Sequence, residues 1–112
     1  MTDPSVGELE HLILLAILSI QGEASALHIR RALDAEGRSV TRGALYRSLD
    51  RLGDKGLVDW ETREPTEARG GHAKRIYRVS SIGLAVVRDR RRTLERLWAG
   101  AARAFEGGAE PR

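Results

Sequence analysis

Cysteine is absent from this sequence. Disulfide cross-links and thiolate chemistry are excluded with it, and the redox compartment is left open. Long hydrophobic runs are missing as well. The run "LILLAIL", residues 12–18, is far shorter than the roughly 20 residues that span a bilayer, and no positively charged segment precedes it as in an export signal. A soluble, cytoplasmic protein without membrane contact is expected. Aromatic residues make up 4% of the chain, too few for the exposed stacking platform that holds single-stranded RNA. Lysine is scarce too, two residues against 17 arginines. That bias by itself also fits the codons of a GC-rich genome, so where the charge lies says more than how much there is.

The net charge is +3, and it is unevenly placed. Residues 1–23 carry Asp3, Glu8, Glu10 and Glu23 without a basic residue, whereas residues 63–78 hold five basic residues against two acidic ones. Positive charge gathered away from the N-terminus suits a polyanion on one face. With 112 residues, 41% of them apolar and 31% charged, the chain fits one small globular domain with one core. It is too short for separate catalytic and regulatory domains.

Val6 to Ile20 is helical in period, with Leu9, Leu12, Ile13, Ala16 and Ile20 on one face, and Leu14, Leu15 and Leu18 covering the others. A helix apolar nearly all round must be buried nearly all round. It is either central or shared with another subunit. Gly22 ends it, Ser25 caps a second helix over 26–36 with Ile29 and Leu33 inward, and Gly37 stops that one. Thr41 caps a third helix, whose core stripe is Leu45, Leu49 and Leu52 and whose left-handed stop is Gly56, with Leu57 folding back. "VDWET" and "RIYRVS" alternate as strands, with Val58 and Trp60 on one side of the first and Tyr77 and Val79 on one side of the second. Residues 63–74 between them form a long hairpin loop. From the N-cap Ser80 a last helix runs to about Phe105. Leu84, Val87, Leu94, Trp98, Ala101 and Phe105 make a heptad-type seam, interrupted at Arg91, that asks for a partner helix.

Helix, helix, short turn, helix, hairpin is the order of a winged helix-turn-helix, in which the third helix enters the DNA major groove and the hairpin loop lies on the backbone or in the minor groove. The third helix turns outward the face such an entry needs. Gly43 lets a backbone approach, Arg47 can donate two hydrogen bonds to guanine O6 and N7, and Tyr46 offers a hydroxyl on a stiff ring. Arg42 and Arg51 flank them, and Thr41 sits at a helix end whose free N–H groups suit phosphate. Asp50 is expected to pair locally with Arg47 or Arg51. In the hairpin, Arg69, Gly71, His72, Lys74 and Arg75 are the candidate backbone contacts, countered by Glu64 and Glu67.

"GALYRSLDRLGDKGLV" resembles the recognition-helix segment of PadR-type transcriptional regulators, "GGHAKRIYRVSSIG" their wing and entry into the last helix, and "GELEHLILLAIL" their first helix. The resemblance covers nearly the whole ordered chain, and the length is similar to the short members with one C-terminal helix. Arg42, Gly53 and His72–Ala73 depart from it, standing where Pro, Glu and Arg-Pro are frequent. Gly53 should cost roughly 1 kcal/mol of helix propensity. The resemblance implies a dimer pairing first and last helices across a two-fold axis, and repression relieved by a small effector. Trp98 belongs to the dimer core, or lines a pocket where it stacks on a planar, apolar or aromatic effector.

The fold expected is mostly α (α+β). Residues 1–80 form the winged helix-turn-helix, 81–106 a C-terminal dimerisation helix within the same compact unit, and 107–112 a disordered tail. The dimer interface is expected to hold Leu12, Leu15, Leu84, Val87, Leu94, Trp98, Ala101 and Phe105. His11, His28 and His72 lie on three different elements without ligand spacing, so no metal is expected, and no cofactor. Gly70–Gly71 lies between strands rather than before a helix and is no phosphate loop. An enzyme is rejected. The expected partners are a second copy of the chain and double-stranded DNA carrying an inverted-repeat operator. A competing possibility is a winged-helix module that binds a protein instead of DNA.

Overall fold

The computed structural model describes residues 6–64 and 73–108. Their order is α1 (Glu8–Ser19), α2 (Ala26–Ala35), α3 (Arg42–Asp54), β1 (Val58–Arg63), β2 (Lys74–Val79), α4 (Ser81–Ala101) and a closing 3-10 stretch, Ala102–Gly108. This is the expected order of a winged helix-turn-helix with a long C-terminal helix. No described helix is long and apolar enough to cross a membrane.

The first helix is central on one side and open on another. α1 touches α2, α3, α4 and β2, and Ile13, Leu14, Ala16 and Ile17 are buried among them. Leu15 and Leu18 stay 40% and 46% exposed. The helix starts at Glu8, where Gly7 N–H donates to Glu10 Oε1 at 3.3 Å, and both first-turn carboxylates favour the helix N-terminus. Glu10 also accepts from Lys55 Nζ at 2.7 Å, with only 10% of its side chain exposed. This partly buried pair ties α1 to the end of α3.

Ser25 caps α2 as expected, its Oγ accepting from His28 N–H. At the end of α3, Gly56 has φ +75°, which other residues adopt only with strain, and Leu57 N–H returns to Leu52 O at 2.9 Å. Leu57 is fully buried as a result. Each such leucine contributes about 1.5–3 kcal/mol by leaving water.

The two strands pair antiparallel, Val58 opposite Val79 and Trp60 opposite Tyr77, which places the four residues expected inward on one face. The other face is not wholly polar: Ile76 is buried as well. On its outer edge β2 receives the loop before α2, Tyr77 N–H donating to Ala24 O at 2.9 Å. Gly53 lies against Trp60. A methyl group there would lie 2.7 Å from Trp60 Cζ3, so the indole packs directly on the glycine.

Ser80 begins α4, its Oγ accepting from Gly83 N–H at 3.0 Å and donating to Gly56 O at 2.6 Å. The α-helix ends at Ala101, not near Phe105; the chain tightens into the 3-10 stretch that holds residues 107 and 108. Residues 109–112 of the expected tail lie outside the described residues.

Candidate nucleic-acid interface

α3 is built as an amphipathic helix with one dry side. Leu45, Ser48, Leu49 and Leu52 are buried, and Thr41 Oγ1 accepts from Ala44 N–H at 3.1 Å to satisfy a first-turn donor. Thr41, Arg42, Gly43, Arg47, Asp50 and Arg51 are exposed, while Tyr46 is half-buried at the margin of the stripe. Arg42 lies over the Tyr46 ring, 5.6 Å from its centroid. Gly43 leaves bare backbone beneath Arg47; a methyl group there would approach Arg47 Nη1 to 3.2 Å. Only the flexible tip of a side chain stands over this patch, so another molecule can reach it. Arg51 Nη2 donates to Ser48 Oγ at 3.1 Å, giving that buried hydroxyl its partner.

The expected local partner of Asp50 is corrected. Its carboxylate faces Arg75 of β2 at 3.9 Å and not Arg47 or Arg51, because the inner face of the sheet folds against α3. Arg75 also stacks on Trp60, 4.9 Å from the ring centroid. Lys74 meets Glu23 at 3.3 Å, and the same carboxylate takes Arg63 at 2.9 Å. The wing base thus presents Arg63, Lys74 and Arg75 beside α3, with Glu23 and Asp50 holding them. Arg69, Gly71 and His72 lie outside the described residues. Glu23 and Arg63 carried no signal in the sequence, since their partners are distant along the chain.

A second feature runs along the other side. Between α1 and α4 lies an open groove of about 880 Å³, lined by His11, Leu15, Leu18, Leu94 and Trp98 among others. Of the residues expected in the dimer interface, Leu12 and Leu84 are half-buried and Val87 is buried, Leu12 and Val87 as part of the chain's own core. Leu94 is 43%, Trp98 62% and Phe105 60% exposed, joined by Leu97 at 65%, and Ala101 is exposed between them. Trp98 and Phe105 lie with ring centroids 6.1 Å apart. Arg90 Nη1 donates to Val6 O at 2.7 Å, anchoring α4 to the start of α1. Burial, and then the charge of Arg90, hold His11 below the ordinary histidine pKa.

Comparison with known proteins matches these elements to one group. Residues 14–89 fit the transcriptional regulator PadR-like family. Transcriptional regulator Rv3488 of Mycobacterium tuberculosis is 35% identical over 86 residues, 77% of this chain and 73% of that protein. A PadR-like transcription factor from Bacteroides fragilis superposes with a TM-score of 0.72 at 25% identity, over 85% of this chain and 87% of the other. The fold is shared with Bacillus subtilis PadR, solved in complex with operator DNA, at a TM-score of 0.60 and 23% identity over 72% of this chain and 46% of that one. The winged-helix architecture, the family fit from Leu14 in α1 to Asp89 in α4, and a relative of like length agree, and the chain belongs to the PadR-like family of transcriptional regulators.

Proposed function

We propose that this chain is a homodimeric, sequence-specific DNA-binding repressor of the cytoplasm, released from its operator by a small effector. The observation that carries the reading is the outward face of α3: a capped helix start, the bare backbone of Gly43, and the exposed guanidinium groups of Arg42 and Arg47. Thr41 and the helix N-terminus face phosphate, Arg47 reads guanine, and Tyr46 and Arg51 border the contact. Lys74 and Arg75 grip the backbone from the wing base. Bacillus subtilis PadR, which shares the fold, was solved in complex with operator DNA, and this supports DNA as the partner.

Dimerisation is supported by the exposed strip of Leu15, Leu94, Leu97, Trp98 and Phe105, apolar surface that a single soluble chain rarely leaves open. Residues 1–80 then act as the DNA-binding region and the final helix as the dimerisation element. Trp98, on the groove between α1 and α4, is the site proposed for a planar apolar or aromatic effector. Repression and its relief by an effector are what the family resemblance implies. Two-fold symmetry predicts an inverted repeat with half-sites about one helical turn apart.

A gel shift on the protein's own promoter region, repeated over a salt series, tests the reading. Specific binding should weaken steeply with salt, and Arg47→Ala should lose roughly 1–3 kcal/mol of it. Absence of any shift at low salt refutes the reading.

A further inference from the structure

At about 100° per residue, Gly43, Arg47 and Asp50 fall within roughly 60° of one another around α3, opposite the buried Leu45, Leu49 and Leu52. Gly43 lies between the two charged side chains. Arg42 and Arg51 stand off to the flanks, and Arg42 is occupied over the Tyr46 ring. The centre of the face proposed to enter the groove is thus one guanidinium and one carboxylate. Three residues of helix set Arg47 and Asp50 about 4.5 Å apart along the axis, on the scale of the roughly 3.4 Å between base steps.

A carboxylate at that place repels the phosphates of any duplex, whatever its sequence. An ion pair could cancel it, but the one present does so only in part. Asp50 faces Arg75 at 3.9 Å, with the two side chains 62% and 46% exposed. That is too long for a hydrogen bond and open to water, where such pairs are weak. Arg75 is held from elsewhere as well: it lies over Trp60, 4.9 Å from the ring centroid, and Trp60 is seated on Gly53. The carboxylate keeps acceptor capacity for a donor arriving from outside, with a cation fixed behind it.

The chemistry of the base edges selects that donor. An ionised carboxylate only accepts. In the major groove guanine shows N7 and O6, both acceptors, and thymine shows O4 beside a methyl group. Adenine offers N6–H but sets the N7 acceptor next to it, whereas cytosine presents N4–H with no acceptor.

We propose that Asp50 is a specificity-determining residue that accepts from cytosine N4, about one step from the base read by Arg47, with Arg75 as the positioning residue behind its carboxylate. The inference rests on the DNA-binding reading above. A guanidinium has five donors, so Arg75 can steady Asp50 and still meet a phosphate. The repulsion then serves discrimination: it weakens binding to every sequence, and a site with cytosine at that step returns a hydrogen bond.

Selection from randomised duplexes with the full chain, followed by titration of single-base variants of the selected site, tests this. The wild type should require cytosine at one symmetric position in each half-site, and thymine in its place should cost about tenfold in affinity. Asp50→Ala should bind both versions within about twofold of each other. It should also bind an unrelated duplex at least as tightly as the wild type does, since a repulsive charge is gone. Asp50→Asn, whose amide can pair with adenine N6 and N7, should move the preference to adenine. Both substitutions alter an exposed side chain, so melting temperatures should stay at the wild-type value. Arg75→Gln should narrow the cytosine preference, which a purely structural role would leave unchanged.

The same base preferences in wild type and Asp50→Ala, whether at equal, lower or higher affinity, overturn the proposal and reduce Asp50 to a partner of Arg75. A change confined to a base other than cytosine overturns it too. In either case an impaired Arg47→Ala leaves the DNA-binding reading standing. If the wild type binds no duplex, both fall.

Discussion

Gly53 and His11 show single residues whose worth is set by what stands over them. By helix propensity alone, Gly53→Ala should stabilise α3 by about 1 kcal/mol. With Trp60 Cζ3 only 2.7 Å from the added methyl, the indole must move instead, and crowding of this kind costs roughly 1–3 kcal/mol. We expect Gly53→Ala to be destabilised by about 1 kcal/mol in urea unfolding, with altered Trp emission; a gain in stability would show that Trp60 yields freely. His11 is held below its ordinary pKa of 6.5, first by burial and then by Arg90. A histidine depressed in the folded state supports folding fully above the unfolded value, and that support is lost as pH falls toward the folded one. Wild type should therefore lose stability relative to His11→Gln on acidification below about pH 6.5, the difference levelling off once both states are protonated. A difference that does not change with pH would show that neither cause acts on His11.

The elements are joined by contacts that differ in how far the sequence reveals them. Ser80 caps α4 and also donates to Gly56 O, so Ser80→Ala removes a cap and the link to the end of α3 together. A loss of about 1–2 kcal/mol is expected in thermal or urea unfolding. The cap itself was readable, as were Ser25 and Thr41, because capping acts over three residues and leaves a local pattern. The strands and their inward residues were readable from alternation, and the face of α3 from its period. Asp50 was misread because its partner, Arg75, lies on another element, and no periodicity encodes a contact over that separation. The same holds for Glu23 with Arg63 and Lys74, and for Glu10 with Lys55. The end of α4 was placed too far along because the apolar spacing continues to Phe105 while the backbone tightens after Ala101.

At the scale of the whole molecule the two working surfaces are divided. The basic surface lies on α3 and the wing base, the apolar one along α1 and α4. On the homodimer proposed above, Leu94→Glu should leave the chain folded, since Leu94 is 43% exposed, but give a monomer in sedimentation equilibrium and weaken operator binding by more than about tenfold, because one half-site no longer assists the other. An unchanged dimer would remove Leu94 from the interface. The division also has a spectroscopic consequence. The chain has two tryptophans, and they report on different events: Trp60 sits under Arg75 and on Gly53 at the wing base, and Trp98 stands on the exposed α4 strip. Replacing either with phenylalanine leaves a single emitter. Trp98→Phe gives a protein whose fluorescence follows the wing as DNA is added, and Trp60→Phe one whose fluorescence follows the α1–α4 groove, so the order in which the two surfaces are occupied can be timed without an added dye.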